Sequence, residues 1–81
     1  MQQVFRSQVT IGLAFFGPKD VTFGYQHYRE SFSVWYLSGP NRPQHKYIVV
    51  VTGHELAGEW EMVSSIVMPD GFTMFHLLRE K

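Results

Sequence analysis

The stretch Thr52-Gly53-His54-Glu55-Leu56-Ala57-Gly58-Glu59-Trp60-Glu61-Met62-Val63-Ser64-Ser65-Ile66-Val67 admits two readings, and the choice decides whether the chain is mainly β or α+β. Thr52 precedes Glu55 by the spacing of a capping box, in which the Thr hydroxyl accepts from a backbone N–H and the Glu reaches back to the helix start. Leu56, Trp60, Val63 and Val67 then recur at helical spacing, so a helix over residues 53–67 is open to the chain. Gly58 opposes it, because glycine costs about 1 kcal/mol relative to alanine inside a helix and is favoured just past a helix end. The reading adopted is one short helical turn over residues 53–58, followed by a strand over residues 60–68.

The elements on either side favour strands. Tyr47-Ile48-Val49-Val50-Val51 is a continuous apolar, β-branched run, which suits a central strand covered on both faces and would be an aggregation hazard at an edge. Pro69-Asp70-Gly71 is a turn leading into a strand over residues 72–78, closing a C-terminal hairpin. Two prolines and a glycine within residues 38–44 cannot hold a ladder, so this segment reads as an exposed loop. Phe32, Val34 and Tyr36 alternate with Ser33, Trp35 and Leu37, giving a third strand whose two faces are both partly apolar, entered through a turn at Arg29, Glu30 and Ser31. Val21, Phe23 and Tyr25 mark a second strand, expected to pair with the first through the Gly17-Pro18-Lys19-Asp20 turn. The first spans residues 4–16, with Val9, Ile11, Leu13 and Phe15 on one face and a bend at Gly12. The expected fold is therefore mainly β: five or six antiparallel strands forming a bent sheet or small partly open barrel, with a helical turn near 53–58.

The 81 residues make one domain, and a unit this small buries only about 60% of its unfolded surface. There is no cysteine to reinforce it, so the aromatic residues, 16% of the chain, are read first as core. Formal net charge is zero, which disfavours general nucleic-acid binding. The charges are nonetheless segregated: residues 1–53 hold five Lys/Arg against two Asp/Glu, and residues 54–81 hold two against five. Such polarity describes two solvated faces or supports head-to-tail or two-fold self-association. The apolar run at residues 9–17 is broken by Thr10 and Gly12 and alternates as a strand does, so it is not read as a leader; no stretch approaches a membrane span, and a cytoplasmic location is expected.

Chemistry-bearing patterns are sparse. His27, His45, His54 and His76 show no i, i+4 pair and no His-x-His element, so no metal site or other cofactor is expected. Glu55, Glu59 and Glu61 near His54 read as a helix start and a solvated strand face, and no elbow motif surrounds Ser64 or Ser65. No glycine-rich phosphate loop is present. The expectation is a protein without catalytic residues.

The segments Glu55-Leu56-Ala57-Gly58-Glu59-Trp60-Glu61-Met62-Val63-Ser64 and Phe75-His76-Leu77-Leu78-Arg79 resemble a family of small uncharacterised bacterial domains. In that family a Tyr-x-Val-Val strand, matched by residues 47–50, leads through a short helix ending in glycine to a Trp-Glu-Leu-Val strand and a terminal Phe-x-Leu-Lys/Arg strand. The resemblance spans residues 47–81, departs in the shortened helix and in about 45 preceding residues, and implies a helix-then-hairpin tail with no active site.

The functional expectation is a binding or protein-interaction domain that self-associates, as a homodimer, through an apolar and aromatic sheet face. A small sheet with one helical turn cannot cover both its faces, so either it curls into a barrel or a second subunit supplies the missing layer. Tyr25, Trp35, Tyr36, Leu37 and Trp60 are the candidate residues for this interface. The same rings could instead line a cavity for a small apolar ligand. A third possibility is single-stranded nucleic acid stacked on Tyr25, Tyr28, Trp35, Tyr36 and Tyr47 beside Arg29, Arg42 and Lys46.

Overall fold

Hydrophobic alternation gives strands wherever one face can be buried, and this chain finds seven such segments. The structure is a computed structural model describing residues 2–38 and 42–81. Its strands are β1 (Gln3–Val9), β2 (Phe15–Gly17), β3 (Val21–Gln26), β4 (Ser31–Ser38), β5 (His45–Val51), β6 (Trp60–Val67) and β7 (Met74–Glu80). They form a three-stranded sheet in the order β1-β4-β3 and a four-stranded sheet in the order β2-β5-β7-β6, every neighbouring pair antiparallel. The mainly β class holds, but the strands number seven, they divide between two sheets, and neither sheet closes into a barrel.

The register puts Val9, Phe32, Val34 and Phe23 of the first sheet against Tyr47, Val49 and Leu77 of the second, and these residues are the buried core. Phe32 and Phe75 meet across the interface with ring centroids 4.8 Å apart. A fully buried side chain of this kind contributes about 1.5–3 kcal/mol, so the paired sheets stand in for the missing disulfides. At the side of the sandwich, Tyr47 donates its hydroxyl proton to the Pro18 carbonyl at 2.5 Å, and Arg79 holds Glu61 Oε1 at 2.6 Å through both Nε and Nη2. Burial pushes the Tyr47 phenol above its ordinary value, while the hydrogen bond to Glu61 raises the Arg79 guanidinium.

The expected first strand is broken rather than bent. Residues 10–14 carry the chain from one sheet to the other: Gly12 adopts φ 81° and donates to the Val49 carbonyl at 2.8 Å, and Leu13 donates to the Thr10 carbonyl at 3.1 Å. Ile11 and Leu13, expected on the buried face, are therefore exposed. Nor does β3 pair with β1. Residues 18–20 cross back between the sheets, and β3 pairs instead with β4 across a tight turn in which Arg29 donates to the Gln26 carbonyl and Glu30 sits at φ 50°. Of the expected loop, residues 39–41 lie outside the described residues.

Residues 52–59 contain no helical turn. Because β5 and β6 both pair antiparallel with β7, they run parallel to each other; Val51 lies opposite Phe75 and Trp60 opposite Glu80. The connection must travel five residues along β7 and two strands sideways, roughly 20 Å. A helix over 53–58 would advance about 9 Å. Thr52, the supposed cap, is also diverted: its hydroxyl lies 2.7 Å from His76 Nε2, and Gly53 and Gly58 take φ 92° and 88°. The inner face is filled by the other sheet, so this strap runs over the outer face. On the same face Ile48 and Val50, which alternate away from the core, are only 8% and 4% exposed. The expectation that β5 is covered on both faces thus holds from Tyr47 to Val50 and lapses at Val51.

Candidate functional site

Strand pleating and the division into two sheets separate the five candidate residues into four places. Trp35 and Leu37 project from the outer face of the three-stranded sheet, opposite Arg6 and Val4 of β1. The Trp35 indole lies over Gly24 so closely that a Cβ added there would stand 2.9 Å from its Cζ3, which makes glycine the residue that admits this packing. Beside the indole, Val4, Asp20, Thr22, Tyr36 and Leu37 border a shallow concavity of about 270 Å³. Tyr36 alternates inward, stacked on Phe5 at 6.0 Å, its hydroxyl 3.2 Å from Ser7 Oγ. Trp60 stands in the other sheet, its Nε1 donating to the Ala57 carbonyl at 2.9 Å to close the strap. The five residues therefore do not form one site.

Tyr25 belongs to a different feature. At the end of the sandwich where the 10–13 corner, the 27–30 turn and the β6–β7 hairpin meet, a cleft of about 350 Å³ opens between the sheets. Val9, Tyr25, Phe32, Met68 and Phe75 supply its apolar lining, and Gln8, Thr10 and Glu30 its polar rim. Ser31, also on this lining, has a buried hydroxyl with no hydrogen-bond partner. Met68 and Phe75 were not among the sequence candidates, since nothing local in β6 or β7 signals which residues of the opposite sheet they will meet.

The outer faces differ in charge. On the three-stranded face Arg6 donates from Nη1 to Gln26 Oε1 at 2.7 Å, and Arg29 lies over the Tyr28 ring at 5.6 Å. Asp20 there is paired with Arg42 at 3.8 Å. On the four-stranded side Lys46 pairs with Glu80 at 3.8 Å, while the strap carries exposed Glu55 and Glu59. Thr52, His76 and Ser65 form a chain beneath the strap, with Ser65 Oγ 2.7 Å from His76 Nδ1. Both imidazole nitrogens thus face hydroxyls, one from the strap and one from β6. The cluster anchors the strap.

Among the described residues no three His, Asp or Glu side chains gather in an arrangement that would hold a metal ion, and no helix is long and apolar enough to cross a membrane. The hairpin turn is capped by Asp70, which accepts from the backbone N–H of Phe72 and Thr73 and from the Thr73 hydroxyl. The Thr73 hydroxyl, then these backbone donors, hold its carboxyl below the usual range. No family model, no curated protein and no solved structure matches the chain, so the resemblance of residues 47–81 to small bacterial domains rests on its own motifs.

Proposed function

We propose that this chain is a non-enzymatic interaction domain that associates with further copies of itself through its outer sheet faces. The observation that carries this reading is that each broad outer face bears exposed large apolar side chains, beside those in the end turns such as Tyr28 and Phe72. Val4 (69% exposed) and Leu37 (44%) flank Trp35 on one broad face, and Phe16 (67%) and Met62 (66%) alternate outward on the other. The molecule is a plate of 40 × 33 × 16 Å whose accessible surface is 5496 Å². A compact protein of 9.4 kDa has roughly 5,000 Å². The second sheet does supply the layer that a lone sheet would lack, so the case for association rests on these outer faces and no longer on an uncovered inner one.

Molar mass by light scattering across a concentration series tests the reading. Masses rising above 9.4 kDa, returned toward it by Trp35→Ala with the β-sheet circular dichroism retained, are expected. A strict monomer at high concentration would overturn it.

A second reading, a small apolar ligand held in the end cleft, is favoured by that cleft's three rings and by a volume at the lower end of the ~300–1,000 Å³ usual for ligand sites. A binding compound at 100 times its Kd would stabilise the fold by about 2.7 kcal/mol, and Phe75→Ser should abolish that gain. No thermal response to a panel of aromatic and aliphatic compounds would remove this reading.

A further inference from the structure

The two outer faces are not equivalent, and their differences are complementary. On the three-stranded face neither Arg6 nor Arg29 forms a salt bridge among the described residues, the exposed Glu30 adjoins Arg29 in the turn, and Asp20 is neutralised by Arg42. On the strap-covered face Glu55 and Glu59 stand exposed outside any salt bridge among the described residues, Lys81 adjoins Glu59 by donating its backbone N–H to the Glu59 carbonyl, and Lys46 and Glu80 neutralise each other. With Glu30 and Lys81 counted, one face keeps a single net positive charge and the other a single net negative charge, each beside exposed apolar side chains: Val4 and Leu37 on the first, Phe16 and Met62 on the second. A two-fold contact between three-stranded faces would set Arg6 and Arg29 against their own copies, and one between strap faces would oppose four glutamates. Like charges facing each other suppress such encounters, whereas opposite patches steer them.

We infer that copies of this chain associate face to back, the three-stranded face of one against the strap-covered face of the next. This rests on the self-association reading and specifies its geometry. A heterologous contact leaves a free face and a free back at each step, so the assembly grows into a ring or an open row rather than stopping at two.

Charge reversal on each face separates the possibilities. In Arg6→Glu/Arg29→Glu both faces become acidic; in Glu55→Lys/Glu59→Lys both become basic. Every substituted side chain is exposed, and circular dichroism checks that each variant folds. The neutral pairs Arg6→Gln/Arg29→Gln and Glu55→Gln/Glu59→Gln provide milder versions if reversal disturbs the strap. By light scattering at low salt, wild type should exceed two chains in mass, each reversal variant alone should fall to one chain, and an equimolar mixture should reassemble, since the acidic front then meets a basic back. Raising salt from about 0.01 to 1 M shortens the screening length from roughly 30 to 3 Å and should shrink the wild-type assembly. If the strap variant associates as wild type does and the mixture stops at two chains, the contact is two-fold through the three-stranded face. The face-to-back inference then fails while self-association stands. A wild-type monomer at every concentration overturns both.

Discussion

Replacing Tyr47 by Phe removes one oxygen from the most crowded point of the sandwich. Tyr47 has no exposed surface, and its ring stacks on Phe15 at 5.5 Å, a contact that Phe retains. What goes is the hydroxyl that donates to Pro18 O at 2.5 Å and lies 3.0 Å from Lys19 O. The Lys19 carbonyl keeps a donor in Arg79 Nη1 at 3.2 Å, but the Pro18 carbonyl loses its donor. Leaving a buried acceptor unsatisfied costs about 1–3 kcal/mol. At about 4–8 °C per kcal/mol for a domain of this size, a cost near 2 kcal/mol lowers Tm by roughly 8–16 °C. The pH dependence has a definite sign. Burial raises the Tyr47 pKa in the folded state, so the unfolded chain ionises first, near pH 10. The stabilisation from the neutral phenol is complete below that value and is lost as pH rises through the raised folded-state pKa. Urea unfolding of wild type and Tyr47→Phe at neutral and alkaline pH should therefore show a gap that narrows as pH climbs above about 10. A gap under about 0.5 kcal/mol at neutral pH, or one that stays constant into the alkaline range, would refute the pinning of residues 18–19 by this hydroxyl.

Leu77, fully buried in the central strand β7, should cost about 2–5 kcal/mol when cut to Ala, a large share of the roughly 5–15 kcal/mol that holds such a domain, read as a fall in the urea midpoint. Asp70→Ala should lower Tm at neutral pH through loss of the turn cap. Because the folded Asp70 pKa is lowered, that contribution is present above the ordinary carboxylate value of about 3.9 and lost as pH falls through the folded value, so the Tm difference from wild type should close in acid. Gly24→Ala should lift the Trp35 indole off the sheet, since the new Cβ would meet Cζ3 at 2.9 Å; in a Trp60→Phe background, tryptophan emission should shift and association weaken, and an unchanged spectrum would contradict the packing.

Features set by neighbours in the chain were legible. The alternation of Val21, Phe23 and Tyr25, and of Phe32, Val34 and Tyr36, placed each set on one face because the pleat is a local property, but not which face would be the buried one. Pro69-Asp70-Gly71 marked its turn because Asp70 caps residues only two and three positions on. What the sequence concealed depends on partners far along the chain. Alternation continues through Val9, Ile11, Leu13 and Phe15, yet Gly12 turns the corner into a different sheet by donating to Val49, so a broken strand looked like a long one. Thr52 has the spacing of a helix cap but gives its hydroxyl to His76, 24 residues away. For the candidate site, Trp35 and Leu37 were legible as opposite in facing to Tyr36, whereas the separation of Tyr25 and Trp60 from them follows from the division into two sheets. The cleft at Phe75 exists only once those sheets are stacked.

The strap also crosses the face of β5 that a two-layer plate leaves open. A run such as Ile48 to Val50 demands cover on both sides, and the sandwich provides it on one only. On the outer face Ile48 and Val50 are nonetheless buried, and residues 52–59 cross it tied to His76 at one end and Trp60 at the other, placing Glu55 and Glu59 in solvent. Among the described residues nothing comparable crosses the three-stranded face, where Val4 and Leu37 remain open beside Arg6 and Trp35. The charge segregation visible in the sequence and the unequal cover seen in the fold thus share one origin, because the acidic half of the chain begins in the strap. Under the face-to-back geometry, the strap serves its own chain as the link from β5 to β6 and the next copy as a counter-surface. Substitutions at Glu55 and Glu59 should then alter assembly while leaving the unfolding midpoint of the isolated chain nearly unchanged, since exposed charges far from core features shift stability by no more than about 0.5 kcal/mol. A strap variant that lowers that midpoint by several times this amount would show that the glutamates act within the fold instead.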